Sequence, residues 1–99
     1  GQARAIQRER FAGLGLPGIA TNAQAPTNVI ETIAAPDAAG LSLLRDASEK
    51  LNFSARAYHR VLKVARTLAD LDQADTVGRI HLAESISYRM AGERLAQAA

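Results

Sequence analysis

Apolar side chains recur at intervals of three and four residues along most of this chain, which is the spacing of one face of an α-helix. The clearest run is residues 54–71, "SARAYHRVLKVARTLADL". Its apolar stripe consists of Tyr58, Val61, Leu62, Ala65, Leu68 and Ala69. Ser54 opens the run and is of a residue type preferred at helix N-caps. No segment alternates at period two for long enough to predict a strand. The pattern therefore predicts an all-α fold.

The N-terminal stretch, residues 2–12, also predicts a helix, because it consists largely of good helix formers and Gly13 follows it. Ile6 and Phe11 are its bulky apolar positions. Its arginines are expected on the outside, at Arg4, Arg8 and Arg10. Residues 13–28 collect Gly, Pro and Asn and predict an irregular connection, long enough to need a structural or functional reason.

The middle of the chain predicts two further helices. Thr27 is the expected N-cap of a short helix over "NVIETIA", which Pro36 terminates. Asp37 occupies the N-cap position of a longer helix in "PDAAGLSLLRDASEKLN". The expected inward positions of that helix are Leu41, Leu44, Ala47, Ser48 and Leu51. Asn52 is expected in the left-handed conformation that ends the helix, with Phe53 folding back onto it.

The last helix is expected to run from about Gly78 to the C-terminus, after a turn that includes "DQAD". Its expected inward positions are Ile80, Ala83, Ile86 and Met90. With 99 residues the chain has the length of one small domain, over residues 1–99. We therefore expect a single small bundle of four to five helices, with a thin core of Leu, Ile and Val.

Composition narrows the class of protein. The chain has no cysteine, which excludes a disulfide framework and thiolate zinc sites and is typical of a reducing compartment. It has neither a transmembrane-length apolar run nor the apolar centre of a signal peptide at its N-terminus, so we expect a cytoplasmic protein without membrane contact. A formal net charge of +2 is compatible with an anionic partner but does not identify nucleic acid as that partner.

Two short motifs partly match the residue spacing of known binding motifs, but neither fulfils the other requirements of its motif. "GLGLPG", residues 13–18, has the spacing of a dinucleotide-binding fingerprint, which requires a strand before it. Here a helix is predicted before it, and Pro17 lies inside it. "DLDQAD", residues 70–75, resembles the start of a calcium loop, but Asp75 and His81 stand where Gly and Glu are required. The first motif predicts a flexible loop and the second a solvated helix end.

The two histidines, His59 and His81, lie far apart in sequence, without other ligands at metal-binding spacing. We interpret each as a surface or partly buried helix residue. The acids and hydroxyls are scattered, so no Ser–His–Asp or Cys–His set is predicted.

A basic set in the helix of residues 54–71 is a stronger candidate. Arg56, Arg60 and Lys63 follow at intervals of four and three residues, which places three cations along one side of a helix. The simplest interpretation is a solvated face. Arg56, however, occupies the second helical position after the Ser54 cap, where the helix dipole disfavours a cation by about 0.3 to 1 kcal/mol. A bound phosphate would compensate, because free N–H groups and a guanidinium would face the same anion.

The residues also resemble a known family. "SARAYHRVLKVARTLADL", followed by "RIHLAESISYR", is similar to the C-terminal part of magnesium-chelatase-related AAA+ ATPases of the ComM (YifB) type. The resemblance continues upstream, in the family's order, through "ARAIQRERF", the pair Asn22–Ala23 and "LLRDASEKLNFS". It covers nearly the whole chain and is weakest over residues 13–28.

The resemblance implies that the chain is the helical lid domain that follows the α/β ATPase core in such proteins. An AAA+ lid commonly supplies a sensor-2 arginine near the start of a helix, and Arg56 in "SAR" matches that motif. Arg56 is therefore expected to contact the phosphates of ATP, with Mg²⁺ held by the absent core. Arg60 and Lys63 are outside the motif and are expected at an interface, on an anion-binding face or in water. The phosphate-binding loop and the arginine finger are not in this chain, so no ATP hydrolysis is expected from it alone.

By resemblance, the parent protein is expected to be a hexameric motor that moves DNA. The lid would then contact the ATPase core of its own chain and neighbouring subunits. One alternative is the lid of a magnesium chelatase subunit, which shares this architecture. Another is a free-standing helical module that binds nucleic-acid phosphates through Arg56, Arg60 and Lys63, with a clear salt dependence. For a lid, weak or no DNA binding by the chain itself is expected.

Overall fold

The computed structural model describes residues 2–16, 18–19 and 21–98, with side chains as far as residue 92. Pro17 and Ala20, in the predicted irregular connection, lie outside the described residues. Five α-helices are described: α1 (Gln2–Gly13), α2 (Thr27–Ile33), α3 (Ala38–Lys50), α4 (Ala55–Leu71) and α5 (Arg79–Ala98). A 3₁₀ turn, Asn22–Gln24, precedes α2. The predicted all-α class is confirmed.

Two of the three predicted N-caps start their helices as expected. The Asp37 carboxylate accepts a hydrogen bond from the N–H three residues later at 2.7 Å. Ser54 Oγ does the same at 3.1 Å. The prediction for Thr27 is wrong by one position, because α2 begins with Thr27 and Pro26 is its N-cap residue. Pro26 has extended backbone angles there, and a cap residue needs no N–H of its own to start the helix.

Three helices end in a Schellman motif, in which one residue in the left-handed conformation turns the chain. These residues are Gly15 (φ 76°), Asn52 (φ 53°) and Gln73 (φ 58°). In each motif the next N–H donates to the carbonyl five residues earlier, at 2.8, 3.0 and 2.8 Å respectively. The prediction for Asn52 is confirmed, and Phe53 packs back against the core. The first helix continues through Gly13, and the left-handed position falls at Gly15 instead.

Helix α4 is the central element of the fold. It contacts α1, α2, α5 and the 3₁₀ turn, while α3 packs against α5. The buried core is made of mainly aliphatic side chains around one phenylalanine: Phe11, Ile30, Leu44, Val61, Leu62, Ala65, Val77 and Leu82. Helices α3 and α5 approach closely at Gly40, where an added Cβ would lie 2.9 Å from Leu82 Cδ1. The absence of a side chain at that position permits the close packing.

One of the inward positions predicted for helix α5 is wrong, and one inward position was missed. Ile80 is 70% exposed, whereas Leu82 is fully buried. Two residues are separated by about 200° around a helix, so Ile80 and Leu82 cannot both face the core. Ile86 is buried and Met90 packs against the core, as expected. The inward position predicted for Leu51 is wrong, because Leu51 is the C-cap of α3 and is 38% exposed.

The segment that precedes α3 forms backbone contacts with the segment that follows α4. Pro36 and Val77 form an isolated parallel bridge, and Asp37 N–H donates to the Val77 carbonyl at 3.1 Å. Apart from this bridge, the part of the chain described here contains no β-structure. Among the described helices, none combines the length and apolarity needed to cross a membrane.

Candidate functional site

An ion pair between a partly buried arginine and a buried aspartate joins α1 to the C-terminal half of α4. Arg10 Nη2 donates to Asp70 Oδ1 at 2.5 Å, and Arg10 Nη1 donates to Asp70 Oδ2 at 3.0 Å. The Asp70 side chain is only 1% exposed. Two-pronged pairs of this kind are among the stronger hydrogen-bonded contacts in proteins. Arg10 was expected on the outside of the domain and Asp70 at a solvated helix end, and both predictions are wrong. The two opposite charges pair with each other, so neither side chain needs full contact with water. Asp72 and Asp75 are exposed.

Arg66 adds a second guanidinium to the same carboxylate. Its Nε donates to Asp70 Oδ1 at 3.1 Å, and its Nη2 lies 3.0 Å from the same oxygen. The remaining N–H groups donate to three backbone carbonyls, of Ile33 at 3.1 Å, Asp75 at 3.0 Å and Ala74 at 2.7 Å. The Arg66 side chain, 3% exposed, therefore fixes α4 to the end of α2 and to the turn that leads into α5.

Asn22 brings the irregular connection into this network. It is fully buried, and its backbone N–H donates to Gln7 Oε1 at 3.0 Å. Its Nδ2 donates to Asp70 Oδ2 at 3.0 Å and to Thr67 Oγ1 at 3.1 Å. Its Oδ1 accepts from Arg10 Nη1 at 3.3 Å. The irregular connection of residues 13–28 therefore has a structural role, because it places the Asn22 side-chain amide between α1 and α4, where the amide bonds to both helices. We call Arg10, Asn22, Arg66, Thr67 and Asp70 the ion network.

The ion network shifts the pKa of its own members. Burial raises the pKa of the Asp70 carboxyl, but hydrogen bonds from Arg10 and Asn22 and the charges of both arginines outweigh burial. The pKa of Asp70 therefore lies below its usual value. Burial lowers the pKa of the Arg66 guanidinium, against the opposing charge of Asp70. Because a guanidinium is a far stronger base than any other side-chain group, Arg66 stays charged at neutral pH.

The basic set predicted from the sequence lines one groove, of about 840 Å³, between the first half of α4 and the 3₁₀–α2 connection. We call it the basic groove, and its lining residues are Ala23, Thr27, Ala55, Arg56, His59, Arg60, Lys63 and Val64. Arg56 and Arg60 are exposed, and within the described residues neither has a hydrogen-bond or ion-pair partner. Lys63 Nζ donates to the Ala23 carbonyl at 3.2 Å. The structure thus brings Arg56, Arg60 and Lys63 together, with two guanidiniums open to a ligand.

Arg56 is the second residue of α4, at the position inferred from the Ser54 cap. The first N–H groups of a helix have no acceptor inside it, and Ser54 Oγ accepts only that of Ala57. The N–H groups of Ala55 and Arg56 point the same way as the helix dipole, and the first turn of α4 contains no acidic residue. The first turn of α4 therefore combines a guanidinium with backbone donors and contains no carboxylate of its own.

His59 links the basic groove to α2. Its Nδ1 lies 2.7 Å from the Ala55 carbonyl oxygen, and its Nε2 lies 2.7 Å from Glu31 Oε1. Both ring nitrogens face oxygen acceptors, so a doubly protonated ring donates to both. The ring of Tyr58 packs edge-on at a centroid distance of 5.7 Å. His59 was interpreted as a surface or partly buried residue, and it is partly buried.

His81 is more deeply buried than predicted, at 7% exposure. Its Nδ1 accepts from Gly78 N–H at 2.9 Å, and its Nε2 lies 2.9 Å from Asp72 Oδ2. A neutral ring with its proton on Nε2 makes both bonds, and the ring holds the start of α5. Within the described residues, no three His, Cys, Asp or Glu side chains are grouped to hold a metal ion.

The ion network was not predicted from the sequence, although four of its members, Arg10, Asn22, Arg66 and Asp70, stand in segments that carry the family resemblance. Arg10 lies in "ARAIQRERF", Asn22 in the Asn–Ala pair, and Arg66 and Asp70 in "VARTLADL". One signal was available, because Arg66 and Asp70 are an i, i+4 pair beside buried Ala65 and Ala69. Because charged side chains are rarely buried unless they are paired, an arginine and an aspartate at this spacing beside an apolar stripe indicate an ion pair that is buried together.

Together, the fold and the site define a small all-helical domain that carries a cationic groove on an internally ion-paired frame. The chain belongs to the family described as magnesium chelatase, subunit ChlI C-terminal, whose sequence profile matches residues 1–89. The predicted family resemblance is therefore confirmed.

Curated relatives match part of the chain. It is 59% identical over 39 residues to the uncharacterized protein YifB of Escherichia coli strain K12, covering 39% of this chain and 8% of that protein. It is 52% identical over 46 residues to the competence protein ComM of Haemophilus influenzae, covering 46% of this chain and 9% of that protein. The YifB protein of Salmonella typhimurium matches to the same extent. The matched part is thus less than a tenth of each relative's length. No solved structure matches the chain.

Proposed function

We propose that this domain is the nucleotide-sensing lid of a larger AAA+ ATPase, in which Arg56 contacts the terminal phosphates of ATP held by the ATPase core. The observation that carries the proposal is the position of Arg56 at the start of α4, where it is exposed and, within the described residues, has no ion-pair partner. Membership of the magnesium chelatase family supports the same role, because the sensor-2 motif matches Arg56 by resemblance.

The donor set of the basic groove fits a polyphosphate. Arg56 offers a planar fork of N–H donors, which suits phosphate oxygens. Arg60 and Lys63 lie one and two turns further along the same side of α4, within about 10 Å of Arg56 along the helix axis. ATP bound on the core would supply the negative charge that the start of α4 lacks. The Mg²⁺ that accompanies ATP is assigned to the core.

The ion network explains how a contact at Arg56 would move the whole domain. Arg66 and Asp70 fix the far end of α4 to α1, α2 and the turn before α5. A helix anchored in this way transmits a displacement at its first turn as a rigid-body rotation rather than as local bending. Arg56 would favour the ATP-bound orientation of the lid, and loss of the terminal phosphate would release it.

The test is Arg56→Ala in the full-length protein that contains this domain, with ATP turnover and ATP affinity as the measurements. We expect turnover to fall about tenfold or more, because a charge-assisted hydrogen bond contributes about 1.5 to 3 kcal/mol. Arg56→Lys should retain part of the activity. Arg45→Ala is the matched control, because it removes an exposed arginine on α3, away from the basic groove.

Unchanged turnover and unchanged ATP affinity in Arg56→Ala would reject the sensor role. If instead the 99-residue chain binds duplex DNA with a steep salt dependence that Arg56→Ala reduces, the free-standing nucleic-acid module is the better description.

We further propose that the parent protein is an ATP-driven DNA motor, because one relative is named a competence protein. A magnesium chelatase subunit would carry the same lid. The turnover assay separates the two, since DNA should stimulate a DNA motor and a porphyrin substrate should stimulate a chelatase. Stimulation by porphyrin alone would reject the motor.

A further inference from the structure

A histidine and a glutamate connect α4 to α2 beside the basic groove. His59 lines the groove on α4, and its Nε2 lies 2.7 Å from Oε1 of Glu31 on α2. Further along α4, Lys63 reaches across the groove to the Ala23 carbonyl. Basic side chains thus line the groove at Arg56, His59 and Lys63, at intervals of three and four residues, and the histidine was not part of the predicted set.

The contacts of the His59 ring fit its cationic form. Its Nδ1 lies 2.7 Å from the Ala55 carbonyl oxygen, and its Nε2 lies at the same distance from the Glu31 carboxylate. A neutral ring has one nitrogen without a proton, and that nitrogen would face an oxygen acceptor at hydrogen-bond distance. A doubly protonated ring donates to both oxygens, at the short distances typical of charge-assisted bonds. His59 therefore adds a cation to the groove, and Glu31 supplies its counter-charge.

Glu31 is the partner of this pair that can be displaced. Its side chain is 59% exposed, whereas that of His59 is 17% exposed. The His59 ring is also held by the Ala55 carbonyl and packs edge-on against Tyr58. Within the described residues, Glu31 has no other hydrogen-bond or ion-pair partner. Because an exposed ion pair contributes little to stability, another anion can replace the carboxylate while the fold stays intact.

The arginines of the groove favour an anion with more than one charge. Arg56 and Arg60 also line the groove, and within the part of the chain described here neither has an ion-pair partner. The Glu31 carboxylate supplies one negative charge, whereas a polyphosphate supplies several. Phosphate oxygens accept hydrogen bonds from guanidinium and imidazolium groups alike. Since Arg56 and His59 are about 4.5 Å apart along the axis of α4, one chain of phosphates can contact both.

We propose that Glu31 is the counter-ion of the empty basic groove, and that a bound polyphosphate replaces it as the acceptor of the His59 Nε2–H. This inference rests on the function proposed for the groove, and it adds His59 as a phosphate ligand and Glu31 as the group that opposes binding. A single phosphate brings less charge in exchange for the carboxylate, so the exchange favours polyphosphates. On release of Glu31, α2 loses one of its contacts with α4, and occupancy of the groove is transmitted to α2.

The test measures binding of tripolyphosphate to the 99-residue chain by NMR at low ionic strength. The pH is set to about 5.5, where histidine side chains are generally charged. The ring ¹⁵N resonances of His59 and the carboxylate ¹³C resonance of Glu31 report their contact directly. We expect saturable shifts of both, and binding of orthophosphate at least tenfold weaker. Glu31→Gln should bind tripolyphosphate about threefold to fivefold more tightly, because the competing charge is removed.

A double-mutant cycle separates the exchange from a general effect of charge. His59→Gln keeps a hydrogen-bond donor without the charge and should weaken tripolyphosphate binding about fivefold. In the His59→Gln background, Glu31→Gln should change the affinity by less than about twofold. Glu49→Gln is the matched control, because it neutralises an exposed carboxylate on α3 that does not line the groove, and the affinity should again change by less than about twofold.

Several outcomes would overturn the proposal. They are no saturable binding up to about 10 mM tripolyphosphate, a Glu31 carboxylate resonance that does not move on binding, or equal effects of Glu31→Gln and Glu49→Gln. An effect of Glu31→Gln that is the same with and without His59 would also overturn it. So would tighter binding of a short DNA strand of matched net charge to the same residues.

The exchange and the sensor role of Arg56 can fail separately. Unchanged ATP turnover and affinity in full-length Arg56→Ala would reject the sensor role, and the double-mutant cycle, which leaves Arg56 unchanged, would still support the exchange. Equal effects of Glu31→Gln and Glu49→Gln, together with a loss of turnover in Arg56→Ala, would reject the exchange alone.

Discussion

Arg66 shows how one side chain can hold several backbone segments at once. Its guanidinium faces the Asp70 carboxylate and three carbonyl oxygens, and within the described residues all of its N–H groups have an acceptor. A lysine at this position would keep the charge but would lack the planar fork that reaches carbonyls in different directions. The structural role of Arg66 therefore depends on the shape of the group as much as on its charge.

Arg66→Lys is expected to lower the free energy of unfolding by about 2 to 3 kcal/mol, because the partly buried carbonyl groups that accept from Arg66 would lose their donors. Urea unfolding of the 99-residue chain measures this change. The control is Arg60→Lys, an exposed position on the same helix, where a change within about 0.5 kcal/mol is expected. Equal changes in the two variants would contradict the assigned role.

At the scale of the helices, chain direction is set by residues close together in sequence. The Asp37 and Ser54 caps each bond an N–H three residues on, and the left-handed residues Asn52 and Gln73 end α3 and α4. Asparagine tolerates a positive φ better than most residues, whereas glutamine pays the steric cost of its Cβ. The end of α4 is therefore held in a strained conformation, and the end of α3 much less so.

Gln73→Gly should raise the free energy of unfolding by about 0.5 to 1 kcal/mol, because relief of the Cβ clash exceeds the added flexibility of the unfolded chain. Asn52→Gly should change it by less, since asparagine already adopts this conformation at low cost. Denaturant midpoints of the two variants provide the comparison. A loss of stability in Gln73→Gly, or an equal gain in both variants, would show that strain at Gln73 is not significant.

At the scale of the molecule, the ion network and the apolar core connect different parts of the fold. The network joins α1, the 3₁₀ turn, α2 and α4, and α5 packs on α4 through the core, with α3 against α5. Because the Asp70 carboxylate is the anion shared by two guanidiniums, its ionisation matters to the whole assembly. This dependence predicts a particular response of stability to pH.

The pKa of Asp70 is lower in the folded protein than in the unfolded chain, so its contribution to stability is present above the usual Asp pKa of about 3.9. It is lost as the pH falls further, through the folded pKa. Asp70→Asn should therefore be less stable than the wild type by about 3 kcal/mol near pH 7, and the difference should shrink below about pH 4.

Thermal and urea unfolding of both proteins between pH 7 and pH 3 test this expectation. The exposed Asp46→Asn is the control and should follow the wild type throughout. A stability difference for Asp70→Asn that is small at pH 7, or that does not change with pH, would show that the ionised carboxylate does not stabilise the fold.

Prediction from sequence succeeded where the determining contacts are local. The all-α class, the Asp37 and Ser54 caps, the left-handed Asn52 and the grouping of cations along α4 follow from residues within a few positions of one another. It failed at Arg10, because Asp70, the carboxylate that pairs with this arginine, lies 60 residues away in the sequence. Ile80 was misplaced because several apolar faces of α5 fit its pattern of small and apolar residues.

The sequence by itself determined which segments form helices, the caps that start α3 and α4, and which residue types lie along each helix, since propensity, capping and periodicity act over one or two turns. Only the tertiary structure decided which charges are buried, whether Ile80 or Leu82 of α5 meets the core, and that the basic side of α4 lines a groove with the 3₁₀–α2 connection. The physical reason is that burial and charge compensation depend on neighbours brought together by the path of the whole chain, and helical spacing does not encode that path.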